Sequence, residues 1–271
     1  MNNLYRALAP ITDAAWAQIE EEARRTFTRH VAGRRVVDVS GPEGTDLSAV
    51  GTGHVRDLEP AADGVTVRVR EVQPLIEVRV PFTVTRAAVD DVERGAEDSD
   101  WQPVKDAART IAFAEDRAIV EGVAAASIEG IEPGSSNPHL TLPADVRTVP
   151  DAVAQALSAL RLAGVDGPYS LLLSAEAYTA VAEMTDHGYP VLGHVARLLG
   201  EGEVIWAPAI TGGLLVSTRG GDYRLTLGQD LSIGYLAHDA QTIDLYLQES
   251  FVFQAFTAES SVVIDPAAPT S

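Results

Sequence analysis

Residues 53–82 restrict most tightly what this chain can become. Val65, Val67 and Val69 alternate with Thr66, Arg68 and Arg70; after Pro74, Ile76, Val78 and Val80 alternate with Glu77 and Arg79. A period of two is the pattern of a strand. The stretch "EPAADG" at 59–64 is rich in turn formers and reads as the reversal between two strands. The result is a long two-stranded arm with little apolar material of its own. A lone ribbon of this kind is marginal in water, and both its edges are open. The arm is expected to lie on something else, a second copy of the chain being one candidate.

The rest of the chain supplies ample core. It has 271 residues, 46% of them hydrophobic, which excludes a disordered polymer. Residues 12–29 read as a helix capped by Thr12 or Asp13, with Trp16, Ile19, Ala23 and Phe27 on one stripe. The segment 31–44 is short and mixed, with a turn at Gly41-Pro42. Residues 87–98 and 101–124 also read as helices. The second has Val104, Ala107, Ile111, Ala114 and Ala118 on its dry side and Lys105, Asp106, Glu115, Asp116 and Arg117 on its wet side. At ~1.5 Å per residue it would be a spine on the order of 35 Å long. A loop at 130–143 leads to an α/β-like section: helices near 150–164, 175–184 and 191–200, and strands at 169–174, 203–210 and 213–218. The helix near 150–164 contributes Val153, Ala156, Leu157, Leu160 and Leu162. Two more strand runs follow, Tyr223 to Leu227 and Leu231 to Tyr235, then a long strand at 242–256 with Ile243, Leu245, Leu247, Phe251 and Phe253 on one face. Glu249 interrupts that row, so its carboxylate must be paired, with a subunit contact as one possible place for the partner, or lie at an edge. The end, "DPAAPTS" at 265–271, reads as disordered.

Charge and composition exclude several functions. Acids outnumber bases 39 to 20, giving a formal charge of −19. Nucleic acid and anionic membranes call for a cationic surface, so neither is an expected partner. There is no cysteine, hence no disulfide, thiolate nucleophile or Cys-ligated metal. The first residues lack a basic segment followed by an apolar core, and no apolar run approaches the roughly 20 residues that span a bilayer. A cytoplasmic location is the expectation.

Motifs for chemistry are weak. "RGGDYRLTLGQDLSIGY" at 219–235 has no phosphate-loop pattern; Gly220-Gly221 and Gly228-Gln229-Asp230 read as places where strands reverse. "GTGHVR" at 51–56 begins like a dinucleotide fingerprint but opens a strand. None of His30, His54, His139, His187, His194 and His238 falls in HExxH or HxH, so no metal site is assigned. The acid pairs Asp90-Asp91 and Glu115-Asp116 read as solvated helix faces. No GxSxG elbow is present; a Ser/His hydrolase stays open only because serines, histidines and acids are plentiful.

"NNLYRALAPIT" (2–12), "GRRVVDVSGP" (33–42), "DDVERG" (90–95), "AASIEGI" (125–131), "LRLAGVDGPYSLLLS" (160–174), "DHGYP" (186–190), "RGGDYRLTLGQDLSIGY" (219–235) and "LYLQESFVFQ" (245–254) together resemble the family 1 encapsulins, in particular their mycobacterial and wider actinobacterial branch. These are bacterial shell proteins. The resemblance implies an α+β, HK97 phage major capsid-like fold: residues 1–47 an N-terminal helix and arm in the P-domain, 48–82 an extended E-loop, 83–133 the P-domain with its spine helix, 134–221 the A-domain, and 222–271 the P-domain sheet and C-terminal tail. It further implies no catalysis by the chain itself but self-assembly into an icosahedral nanocompartment of the T=1 class, filled by symmetry with sixty copies. Guest enzymes, a dye-decolorising peroxidase or a ferritin-like iron protein with roles in oxidative stress and iron storage, would dock through C-terminal targeting peptides. Phe27 and Ile233 would then wall the peptide groove, and Arg34 and Asp38 would fix peptide polar groups. Asp186, His187, Gly188 and Tyr189 would line a fivefold pore. Haem or iron would belong to the guest. Some relatives stack a flavin on an aromatic residue where this sequence has Ala87, so no flavin is expected. The rival readings are a phage or prophage major capsid protein and the Ser/His hydrolase.

Overall fold

The computed structural model describes residues 3–60 and 62–267. Helix α1 (Asp13–His30) starts where the Thr12 hydroxyl accepts the Ala15 N–H, with Asp13 in its first turn and Arg29 and His30 in its last, all favourable to the helix dipole. One turn of 3₁₀ helix, Gly33–Arg35, leads to the short strand β1 (Asp38–Ser40). The arm follows: β2 (Ala49–Leu58) pairs antiparallel with β3 (Val67–Pro74). After Pro74 the chain enters β4 (Ile76–Thr85), which belongs to the main sheet. Helix α2 (Arg86–Glu93) is shorter than the expected 87–98, because Gly95 takes a left-handed conformation (φ 95°) and closes the helix end. Helix α3 (Gln102–Val120) has Pro103 in its first turn and is about 28 Å long.

The expected loop at 130–143 holds more structure than its composition suggests. A small hairpin, β5 (Gly122–Val123) with β6 (Ile128–Glu129), is followed by a single turn, α4 (Ile131–Gly134), and by β7 (Leu140–Thr141). Then come α5 (Val149–Leu162), β8 (Tyr169–Leu173), α6 (Ala175–Glu183), the miniature hairpin β9 (Thr185–Asp186) and β10 (Tyr189–Pro190), α7 (Val191–Leu199), β11 (Val204–Trp206) and β12 (Gly213–Ser217). Leu162, expected on the apolar side of α5, is 86% exposed, because two residues after the buried Leu160 it falls on the opposite side of the helix. The final strands are β13 (Tyr223–His238), β14 (Thr242–Ala255) and β15 (Ser261–Asp265).

Two layers result, and the architecture is α+β. One layer is the sheet β1-β13-β14-β4, covered by α1 and α3. Ile19, Ala23 and Phe27 of α1 and Val104, Ala108 and Ile111 of α3 pack on Ile243, Leu245 and Leu247. The other is the sheet β11-β8-β12-β15-β7, covered by α5, α6 and α7 around Val153, Leu160, Leu171, Val195 and Leu215. The C-terminal half of α3 lies where the layers meet, with Ile119 among Leu172, Leu214, Leu225 and Phe253. The strand β15 sits between β12 and β7 in the second sheet, so Ser261–Asp265, within the expected 222–271 segment, pairs with the second sheet and not with β13 and β14. The expected disordered end overlaps this strand at Asp265, and residues 268–271 lie outside the described residues.

Two sequence expectations fail. Glu115 and Asp116 are not solvated but 0% and 1% exposed, since the last two turns of α3 are covered on both sides. Gly228-Gln229-Asp230 is no reversal. It is an irregularity inside the continuous strand β13, with register shifts against β14 between Leu227 and Gln229 and again before Ser232. A side chain at Gly228 would meet Leu75 Cδ2 and Ser250 Oγ at 2.7 Å.

Candidate functional site

A groove of about 840 Å³ lies between α1 and the irregular part of β13. Its position follows from local chemistry. The register shift turns Asp230–Ile233 toward α1, and the N-terminal segment closes one side where Leu4 O accepts the Tyr235 N–H at 2.8 Å. Leu4, Phe27, Val31, Leu231 and Ile233 make its walls apolar. The rim is ionic. Arg6 pairs with Glu20 at 2.5 Å and lies over the Trp16 ring at 4.2 Å, and Arg24 pairs with Glu21.

Phe27 and Ile233 both line this groove, yet each is only 4% exposed, so each also belongs to the core beneath. Arg34 stands at the groove's end with its guanidinium 4.9 Å from the Phe27 ring centre. Its donors are committed. Nε donates to Glu115 Oε1 and Oε2 at 2.8 and 3.1 Å, Nη2 to Glu115 Oε2 at 2.6 Å and Glu249 Oε2 at 3.4 Å, and Nη1 to Asp230 Oδ1 at 2.9 Å. Arg34 is therefore a structural keystone of the wall rather than a free hook. Burial works against its charge, but its hydrogen bonds to Glu115 and the surrounding carboxylates raise it above its ordinary value. Glu249 finds its partner inside the same chain, on the central strand β14, not at an edge. Burial pushes Glu249 well above the usual carboxylate range, and Glu115 adds to the effect. Burial likewise pushes Asp116 up to about 7, against the hydrogen bonds it accepts from Gly33 and Ala32 at 2.7–3.0 Å.

Asp38 is not in this groove. It lines a separate depression of about 80 Å³, and its Oδ2 accepts the Gly221 N–H at 2.6 Å. With the Arg219–Asp222 pair, at 2.9 Å through both guanidinium nitrogens, it fixes the turn before β13. The glycine-rich stretch at 219–222 is thereby a pinned turn.

Asp186, His187, Gly188 and Tyr189 form the tip of the β9–β10 hairpin. His187 (φ 47°) and Gly188 (φ 82°) supply the two left-handed residues of its tight turn. The His187 side chain is 96% exposed and lies 3.7 Å from Asp186. Tyr189 folds back instead: its ring meets His194 at 4.6 Å, and its hydroxyl accepts from Arg197 at 3.5 Å. Ala87 is exposed on the first turn of α2 and offers a methyl rather than a ring. Among the described residues there is no group of three or more His, Asp or Glu able to hold a metal ion, and no helix long and apolar enough to cross a membrane.

The sequence reading missed Glu115, Glu249 and Asp230 as one unit. A signal was present: Glu115 lies four residues after Ile111, in line with the buried stripe, and Glu249 stands in an apolar strand row. Two interrupted apolar rows that face one another point to a shared counter-charge.

Comparison with known proteins bears on the whole chain. Residues 1–252 match the family described as "Encapsulating protein for peroxidase". A protein of Rhodococcus erythropolis named "Type 1 encapsulin shell protein" is 64% identical, covering 97% of this chain and 99% of its own. Proteins of the same name from Brevibacterium linens and Mycobacterium tuberculosis are 66% and 60% identical, each over 97% of this chain. Among solved structures, a virus-like particle from Pyrococcus furiosus superposes with a TM-score of 0.65 at 13% identity, covering 92% of this chain and 99% of that one. The capsid of the phage XM1 gives a TM-score of 0.55 at 9% identity, over 89% and 97% of the respective chains. The fold is that of HK97-like capsid subunits.

Proposed function

The chain belongs to the type 1 encapsulin shell proteins, and from that premise we propose that its copies close into a T=1 icosahedral shell in the cytoplasm. The guests are enzymes held by their C-terminal targeting peptides in the groove between α1 and β13. A dye-decolorising peroxidase fits the family's description, and a ferritin-like iron protein is the other guest class. The haem or iron is the guest's, and the shell chain carries no flavin.

One observation carries the reading: the β2–β3 ribbon is unfinished. Both its outer edges lack a strand partner among the described residues. The register places Val55 and Val72 on one face and Leu58 and Val69 on the other, at 52%, 59%, 42% and 37% exposure. A ribbon that exposes a few apolar side chains among charged ones on both faces and is open at both edges is stabilised by covering it, and a repeated contact between identical copies closes into a shell when its rotation closes. The hairpin tips, led by His187, then gather at the fivefold axes and line pores for small molecules.

The phage-capsid reading shares the fold, but its structural neighbours are no more than distantly similar in sequence, 9% in the case of XM1. The groove reading is tested by Leu231→Asp, which places a charge on a half-buried wall residue. Electron microscopy should show intact shells, and mass spectrometry should find them empty of the guest that wild-type shells retain. Normal filling of the variant shells would refute the groove assignment. Phe27→Asp is the poorer probe, because it also buries a charge in the core.

A further inference from the structure

Three carboxylic acids are sealed beside one cation at the end of the groove. Glu115 and Glu249 are 0% exposed and Asp116 is 1% exposed; among the described residues Arg34 is the one cation bonded to Glu115 and Glu249, the partly exposed Asp230 shares it, and Asp116 is bonded by backbone N–H groups instead. They come from every element meeting there: Glu115 and Asp116 from α3, Arg34 from the turn after α1, Asp230 from β13 and Glu249 from β14. The strand β4 contributes only the apolar Val78 opposite Glu249, and α1 contributes Phe27. Three ionised carboxylates buried around one guanidinium would leave a surplus of two negative charges in the interior, with Asp230 adding another at the rim.

The hydrogen bonds show which acid is unsuited to ionisation. Glu115 is held by Arg34 through both oxygens at 3.1 Å or less. Asp116 accepts backbone N–H groups on both oxygens, and Asp230 accepts from Arg34 and from the Leu231 N–H at 2.8 Å. Glu249 has a single long contact of 3.4 Å, and its Oε1 is buried without any partner. A buried carboxylate so poorly served is far costlier than the neutral acid.

We infer that its poorly served site holds Glu249 in the neutral, protonated form and that it acts as a latch on the groove, holding the corner between α1 and the sheet shut until a rise in pH removes the proton. The neutral acid leaves Arg34 to Glu115 and Asp230, which keeps the guanidinium over Phe27 as the groove's end wall. Ionised Glu249 competes for Arg34, draws it inward from Asp230 and repels Glu115. The wall then loosens. Burial and the neighbouring Glu115 act on Glu249 in the same direction. That the groove holds guests rests on the function proposed above; the latch itself does not, and its test needs no guest.

Assembled shells would be studied by hydrogen exchange at about pH 7 and about pH 9, corrected for intrinsic exchange, with Glu249→Gln as a mimic of the neutral acid. In the wild type, protection of residues 27–36 should fall about tenfold at the higher pH while α5 is unchanged. In the variant it should stay constant. Infrared spectra are read on Asp116→Asn shells, because Asp116, pushed up to about 7, would itself contribute a protonated-carboxyl band; at neutral pH they should still show a protonated-carboxyl stretch, which adding Glu249→Gln removes, and the Asp116→Asn readout stands even if the double variant does not fold. Unchanged protection in the wild type, an equal loss in Glu249→Gln, a loss shared by α5, or no protonated-carboxyl band would each overturn the latch. Empty Leu231→Asp shells with a normal latch, or the reverse, would separate the two proposals.

Discussion

Asp116 shows how much one side chain does at the joint between helix and sheet. Its carboxylate ties down Ala32 and Gly33, the two N–H groups that follow α1. Burial raises its ionisation to about 7, so the folded chain holds this proton more tightly than the unfolded one, in which aspartate titrates near 3.9. The sign follows from linkage: stability is greatest below the unfolded value and falls as pH rises from about 4 to about 7, by up to ~1.4 kcal/mol per pH unit for one proton. Asp116→Asn should flatten this slope in urea unfolding at several pH values while costing about 1–3 kcal/mol at low pH through the lost acceptor. A slope unchanged by the substitution would mean the proton resides elsewhere. At the same scale, Ala87 predicts that purified shells show no flavin absorbance, because a methyl gives an isoalloxazine ring nothing to stack on; a yellow chromophore bound stoichiometrically would contradict this.

At the scale of elements, local signals were legible and interlayer ones were not. Helix α1 was readable to within a residue, because a capping threonine and a single stripe from Trp16 to Phe27 say the same thing. Helix α3 was readable along its length, with Ala118 buried and Arg117 exposed as expected, but its last two turns are enclosed on two sides, and a one-sided pattern misassigns Glu115 and Asp116. The strand β15 went unseen because five residues pairing with partners some fifty and more than a hundred positions away leave no local mark. Of the groove, Phe27, Arg34 and Ile233 do meet, whereas Asp38 serves a turn. The irregularity in β13 depends on Gly228, since any Cβ there meets Leu75 and Ser250. Gly228→Val should cost about 1–3 kcal/mol by overpacking and alter amide exchange from Asp230 to Ile233. A neutral effect on both would show that the strand's course is set elsewhere.

For the whole molecule, the central point is an imbalance between a well-filled body and an arm that its own chain leaves bare. The body buries two layers of core, while the ribbon exposes valines on each face. Replacing Val55 and Val72 with Asp changes only exposed positions of that ribbon. The subunit should still fold, with far-UV circular dichroism unchanged, but closed particles should disappear from sedimentation profiles; normal particles from the double variant would show that this face of the ribbon contributes nothing to assembly. The most direct measurement is electron cryomicroscopy of the purified wild-type protein at side-chain resolution. Hollow icosahedral particles are expected, in which Val55, Leu58, Val69 and Val72 of each chain are covered by a neighbouring copy. A folded solitary subunit, its ribbon surrounded by solvent, would contradict this.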